Sequence, residues 1–310
     1  MNTDLGQIRN LKSKIERPAT AGGADFKLNK LPIGIFDSGV GGLTVYRALH
    51  NRLPNERFIY LGDTARVPYG TKSLATVERY AIENSQFLAS RGIKLLVVAC
   101  NTASALALPA IRKAVGHDVV GVIGPGGRKA VELTKDRDRP KIGVIATEAT
   151  VASNAYVEAI HRALDTAEVF QSACPLFVPL AEEGWTAEAE TSSIANKYLG
   201  EMNGFAPDAL VLGCTHYPIL SRVIQQTVGE SVKLIDSGEA TAEEVETLLA
   251  TKDLANPGAA VGTRELCDDL DHFYVTDAAE RFARVAERFL GAKPAKLEAI
   301  EVYGGDRLKM

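Results

Sequence analysis

A chain of 310 residues exceeds the roughly 100 to 200 residues of a usual domain, so two domains or one large one are expected, with ample material for a buried core. Hydrophobic residues at 46% against 24% charged exclude wholesale disorder, and 35 basic against 39 acidic residues, a formal charge of -4, leave no electrostatic footprint for nucleic acid or an anionic membrane. No apolar run reaches the roughly 18 to 20 residues that span a bilayer and no signal-peptide apolar region opens the chain, so a cytoplasmic protein is expected.

Residues 1–30 are polar, with a charged stretch from Arg9 to Arg17 and then the linker-like run Ala19-Thr-Ala-Gly-Gly-Ala-Asp25. They read as an extension outside the core, with a short helix over Leu5 to Ile15. From Leu31 onward short apolar runs alternate with helical spacing. The runs predict strands at Ile33 to Phe36, Phe58 to Leu61, Leu95 to Ala99, Val119 to Ile123, Ile142 to Ala146, Ala209 to Leu212, Lys233 to Ile235 and Phe273 to Thr276. Helices are predicted at Leu74 to Ser90, Val151 to Ala163 and Ala278 to Leu290. The alternation reads as α/β with mostly parallel sheets, and the near-continuous apolar character of the runs suits strands covered by helices on both faces.

The pattern also repeats. Ile33-Gly-Ile-Phe36 and Ile142-Gly-Val-Ile145 are each followed, after a similar length of chain, by an apolar strand ending in cysteine and polar residues: Leu96-Val-Val-Ala-Cys-Asn-Thr102 and Leu210-Val-Leu-Gly-Cys-Thr-His216. Ligands of parallel α/β sheets bind beyond the carboxyl ends of the strands, where Cys100 and Cys214 are predicted to sit. Asn101 or Thr102 is expected to cap the helix after the first, and Thr215 the helix after the second, with Pro218 in its opening turn. A sulfur at a helix N-terminus is expected to favour the thiolate. Four cysteines are too sparse for a disulfide scaffold; Cys174 and Cys267 read as small buried hydrophobes.

Two loops accompany the thiols. Phe36-Asp-Ser-Gly-Val-Gly-Gly-Leu43 is neither a dinucleotide fingerprint nor a P-loop, because the third glycine and the Gly-Lys-Ser/Thr ending are missing, but its backbone N–H groups could face an anion beside Asp37 and Ser38. Gly62-Asp-Thr-Ala-Arg-Val-Pro-Tyr-Gly70 is rich in turn residues and is expected to cover a site. His216, two residues after the second cysteine, could tune a thiol or hold a ligand. No metal-ligand spacing is stronger than Cys214-x-His216.

These motifs, with Cys174-Pro-Leu-Phe-Val-Pro-Leu-Ala-Glu182, Cys214-Thr-His-Tyr-Pro218 and Asp236-Ser-Gly238, stand in an order that resembles the glutamate racemases of the cofactor-independent aspartate/glutamate racemase superfamily, over about residues 31 to 290. The resemblance implies two pseudo-symmetric α/β domains with the amino acid between them: residues 31–125 and 237–310 as the first, 126–236 as the second. It implies Cys100 and Cys214 as acid/base thiols and Asp37, Asp63, Glu182 and His216 as ionisable groups around them. Asp37, Ser38, Tyr69, Gly70, Asn101, Thr102, Thr215 and His216 would contact the substrate. Glu182 rather than Glu183 follows from motif register alone.

No pyridoxal cofactor or metal is implied, a homodimer is usual, and relatives with N-terminal extensions respond to a peptidoglycan precursor, UDP-N-acetylmuramoyl-alanine. Two departures stand out: Gly124 in Val122-Ile-Gly-Pro-Gly126, where relatives often carry glutamate, and Ala149, where glycine is common and alanine is expected to stiffen a loop. Other readings of the same residues are an aspartate racemase, a zinc module built on Asp37, Cys100, Cys214 and His216, a thiol-disulfide protein, which lacks a Cys-x-x-Cys, and a non-catalytic amino-acid-binding module.

Overall fold

The computed structural model describes residues 28–258 and 264–302. The expected helix over Leu5 to Ile15, and all of the extension before Leu28, lie outside the described residues. After a short 3-10 turn at Leu28–Lys30, the first stretch runs β1 (Ile33–Asp37), α1 (Leu43–Arg52), β2 (Phe58–Gly62), α2 (Leu74–Ser90), β3 (Leu95–Val98), α3 (Asn101–Leu106), α4 (Leu108–Ala114) and β4 (Asp118–Gly121). Then come α5 (Ile123–Leu133), β5 (Lys141–Ala146), α6 (Glu148–Ala152), α7 (Ala155–Ala163), β6 (Glu168–Ala173), α8 (Phe177–Glu183), α9 (Ala189–Phe205), β7 (Ala209–Gly213), α10 (Ser221–Val228) and β8 (Lys233–Asp236). The last stretch is α11 (Ser237–Thr251), β9 (His272–Val275), α12 (Ala279–Leu290) and β10 (Leu297–Ala299).

The strands form two sheets, β10-β9-β2-β1-β3-β4 and β6-β5-β7-β8, and every pairing is parallel. The repeat read from the sequence is present in the order itself. In each half the second strand lies outside the first, followed by the third and fourth, so β3 and β7 occupy equivalent places and Cys100 and Cys214 follow equivalent strands. Residues of β1, β3 and β7 are all buried, as near-continuous apolar runs between two helical layers should be.

Local sequence explains the helices and the misread boundaries. Ser73 caps α2 by accepting the Thr76 N–H, and α12 buries Phe282, Val285, Ala286 and Phe289, one face at helical spacing. The strand expected over Val119 to Ile123 ends at Gly121, because Val122 turns into the helical region and Ile123 opens α5, with Pro125 tolerated in its first turn. The helix expected over Val151 to Ala163 is two helices, α6 and α7, divided where Ser153 Oγ donates to Thr150 O and Asn154 takes φ 57°. Ala149 therefore sits inside α6 rather than in a loop. Strand β6 escapes an apolar-run search because all six of its residues are only half-buried, and β10 because it is three residues at the sheet edge.

Where β2 ends, the chain passes close to the loop after β1. A Cβ placed on Gly62 would stand 2.5 Å from the Gly39 carbonyl oxygen, a backbone atom that cannot swing aside. Gly62→Ala should cost about 1–3 kcal/mol of stability in chemical denaturation, as overpacking does; an unchanged midpoint would mean that the two loops separate freely.

Candidate active site

The carboxyl end of the first sheet brings Asp37, Ser38 and Cys100 together. Asp37 closes β1 and is 1% exposed; its Oδ2 accepts the Gly39 N–H at 2.8 Å, and the amides of Ser38 and Gly42 also face its carboxylate. The glycine-rich loop thus spends these N–H groups on the protein's own acid rather than on an external anion. Its Oδ1 is buried with no hydrogen-bond partner. Burial holds the Asp37 carboxyl above the usual range, against the pull of His216 and the loop amides.

Cys100 is itself the N-cap of α3. Its Sγ accepts the Ala103 N–H at 3.4 Å and lies 3.5 Å from Ser38 Oγ, while Asn101 and Thr102, the expected caps, are the first two helical residues. The expected lowering of its pKa does not occur: burial first, and the Asp37 charge second, push the thiol up to about 12, and the end of a six-residue helix does not offset them. A negative charge at Cys214 raises it further, so the two sulfurs feel each other. Asn101 accepts the Tyr156 O–H on Oδ1 at 2.7 Å, and its Nδ2 is buried without a partner. Thr102 joins Thr147 and Thr150 in a triangle of hydroxyls with edges of 3.0, 3.2 and 3.0 Å.

Beyond β7 the geometry differs. Cys214 leads into a 3-10 turn at Tyr217–Leu220 that contains Pro218, and α10 starts only afterwards, so Thr215 caps no helix; its carbonyl accepts the Thr44 O–H at 2.9 Å. His216 places Nδ1 3.7 Å from Cys214 Sγ and donates from Nε2 to Glu182 Oε1 at 3.1 Å. Burial alone would neutralise this imidazole, but its bonds to Cys214 and Glu182 outweigh that effect and push it up to about 10. Burial also works against the Glu182 carboxylate, yet His216 and Arg281 hold it below its ordinary range. Glu183, its neighbour, is exposed, and it is Glu182 that meets His216. Gly41 makes the approach of the first loop to this strand end possible: a Cβ there would be 2.3 Å from Thr215 Oγ1 and 2.5 Å from the His216 ring.

Asp63 and Tyr69 are brought together with each other, and Tyr69 shares a buried cluster with Cys100. The Tyr69 hydroxyl donates to Asp63 Oδ2, and Asp63 also accepts from Arg66 Nε, Asn84 Nδ2 and Thr276 Oγ1 at 2.8–3.0 Å. The carboxylate is the anchor of the loop from Gly62 to Gly70. Gly70 then abuts Thr147, whose Cβ would be 2.8 Å from a Cβ at Gly70. The sequence reading missed Thr147, Thr150, Tyr156, Asn84 and Arg281. The repeat could have exposed the two threonines, because they follow β5 as the Asp37 loop follows β1; the other three carry no local signal.

Among the described residues no group of three or more His, Cys, Asp or Glu side chains could hold a metal ion, and no helix is long and apolar enough to cross a membrane. All four cysteines are free and buried, and burial pushes Cys174 and Cys267 up to about 12. An open groove of about 540 Å³, lined by residues such as Arg137, Asp208 and Lys233, contains none of the candidate site residues.

The Asp/Glu/hydantoin racemase family model matches residues 33–245. The chain is 52% identical to the glutamate racemase of Geobacter metallireducens over 261 residues, 84% of this chain and 93% of that protein. The crystal structure of the Francisella tularensis glutamate racemase in complex with D-glutamate superposes with a TM-score of 0.79 at 38% identity, covering 88% of this chain and 98% of that one. The Escherichia coli glutamate racemase, in complex with L-glutamate and the activator UDP-MurNAc-ala, gives 0.69 at 30% identity, over 88% of this chain and 100% of that one.

The charge pair at His216 has a pH signature. Its folded pKa lies above the ordinary 6.5, so its stabilisation is complete below 6.5 and is lost as pH rises toward about 10. Melting temperatures across that window should fall for the wild type relative to His216→Asn, which lacks the group; parallel curves would contradict a buried imidazolium.

Proposed function

The chain belongs to the Asp/Glu/hydantoin racemase family, and from that premise we propose that it interconverts L-glutamate and D-glutamate by proton transfer between two cysteines. The amino acid would lie between a first lobe, residues 31–125 with 237–310, and a second, residues 126–236. The observation that carries the reading is the pair of buried thiols at equivalent strand ends, beside a buried acceptor and a buried donor that no protein group uses, Asp37 Oδ1 and Asn101 Nδ2. An ammonium group and a carboxylate would satisfy that pair.

Inverting an α-carbon requires removal of its proton from one face and delivery of a proton to the other. A single base returns the proton to the face it came from, whereas two groups on opposite sides invert the centre. One sulfur starts as thiolate and the other as thiol. Burial and Asp37 hold Cys100 as thiol, and the His216 imidazolium supplies a countercharge beside Cys214. A substrate ammonium near Asp37 would neutralise the acid that faces Cys100. The opposite enantiomer needs the exchanged protonation pattern, with Cys100 anionic. The carbanion formed in between is stabilised by donors placed in advance at the carboxylate and by the exclusion of water, which the burial of both sulfurs provides. Ser38, Asn101, Thr102 and Thr215 are the proposed polar contacts around it, with Tyr69 and Gly70 setting the wall against Thr147. D-Glutamate for peptidoglycan, made in the cytoplasm, is the proposed product.

In heavy water either enantiomer of glutamate should acquire deuterium at the α-carbon, and aspartate, assayed beside it, should exchange far more slowly; the reverse preference would assign the chain to aspartate. Cys100→Ser and Cys214→Ser should each reduce turnover by about 10²–10⁴-fold. Because enantiomers have an equilibrium constant of one, every variant must lose kcat/KM equally in both directions, while kcat and KM separately need not match. Racemisation surviving removal of both thiols would sink the mechanism.

The activator bound to the E. coli relative supports a proposal of control by the same class of peptidoglycan precursor, acting through the extension. Adding UDP-N-acetylmuramoyl-alanine should raise turnover of the full chain and not of a chain lacking residues 1–27. Equal rates in all four reactions would leave the extension without that role.

A further inference from the structure

Tyr156 lies outside the sequence motifs and yet touches a residue beside the first thiol. It projects from α7, which belongs to the second half of the chain, and is 0% exposed; its hydroxyl donates to Asn101 Oδ1 of α3 at 2.7 Å. Ser237, from the Asp236-Ser-Gly238 motif that the reaction otherwise leaves unused, stands beside the same phenol oxygen. A side-chain amide has an acceptor end and a donor end. With the acceptor end taken by a phenol proton, the donor end faces the other way, and Asn101 Nδ2 is the buried group left without a partner.

We propose that Tyr156 is a positioning residue, which locks the Asn101 amide so that its NH₂ faces a carboxylate of the bound amino acid. The proposal rests on the amino-acid racemase reading of this site. The phenol proton is committed to Asn101, so Tyr156 acts through the amide and not on the α-carbon. Without it, Oδ1 is left buried and unpaired, and the amide is free to turn its oxygen toward the substrate carboxylate, where the two acceptors repel. The lock joins the two halves: Asn101 arrives with the first sheet and Tyr156 with the second, so the donor is set only where both meet.

The test is a double-mutant cycle read by steady-state kinetics with both enantiomers. Tyr156→Phe keeps the ring and removes the hydroxyl; KM should rise about five- to tenfold while kcat stays within about twofold, the pattern of a contact made equally in ground and transition states. Asn101→Ala should raise KM at least as much, and Tyr156→Phe added to Asn101→Ala should cost nothing further, because the group that Tyr156 orients is gone. Losses that multiply, or a fall in kcat with KM unchanged, overturn the proposal.

Asn101→Asp gives a second arm that does not depend on folding of the tyrosine variant. It keeps an oxygen for the phenol but replaces the donor with an acceptor, so KM should rise more than in Asn101→Ala. Activity of the aspartate variant equal to wild type overturns the assignment. If the wild-type chain exchanges no α-proton of glutamate or aspartate, the racemase reading fails instead, which separates the two outcomes.

Discussion

A positive charge kept out of water at His216 is the constraint around which the site is arranged. A buried imidazolium is costly unless it is paired and hydrogen-bonded. Glu182 supplies the partner, and Glu182 is in turn held by Arg281 at 3.0 Å, while Arg288 donates to its main-chain carbonyl. Both arginines come from α12, which follows a strand of the first sheet, so a helix from the end of the chain secures a charge at the strand end of the second sheet. The Phe289 ring, also of this helix, stands at right angles to the His216 ring with centroids 6.0 Å apart.

Against this fixed charge, the backbone repeat carries unequal electrostatics. Two residues after the first cysteine stands Thr102, and two after the second stands His216. The strand that opens the first sheet ends in Asp37, whereas its counterpart ends in Ala146 and passes to Thr147. A negative group therefore attends one sulfur and a positive group the other. The repeated strand order places the two sulfurs at equivalent ends, and single residues around them make their surroundings chemically different. Between them the hydroxyls of Thr102, Thr147 and Thr150 each donate and accept, so they tie the halves together without the fixed dipole that a charged pair would impose.

The features legible in the sequence are those that depend on period: apolar runs, their repetition, and cysteines at the ends of two of them. Strand positions were readable to within a residue or two because β1, β3, β5 and β7 consist largely of fully buried apolar residues. Caps and partners were not, because they depend on which neighbour arrives in space. Asn101 and Thr102 are good caps by type, yet Cys100 takes the position with its own sulfur. The thiol pKa went the opposite way from the helix-end argument because a linear reading counts the dipole and cannot weigh desolvation or the Asp37 charge. Asp63 was legible as a member of a motif, but its anchoring of the loop was not, because Arg66, Asn84 and Thr276 meet it only in space.

The order of strands in the larger sheet bears on how the chain is made. The inner edge of β2 pairs with β1 at once, but its outer edge pairs with β9, which begins at His272, after the whole second sheet has been synthesised. Until then the nascent protein presents the unpaired backbone of Phe58–Gly62, an apolar edge of the kind that invites pairing with another chain. Long-range closure of this sort slows folding, and it places the hazard of misassembly during translation rather than in the finished enzyme.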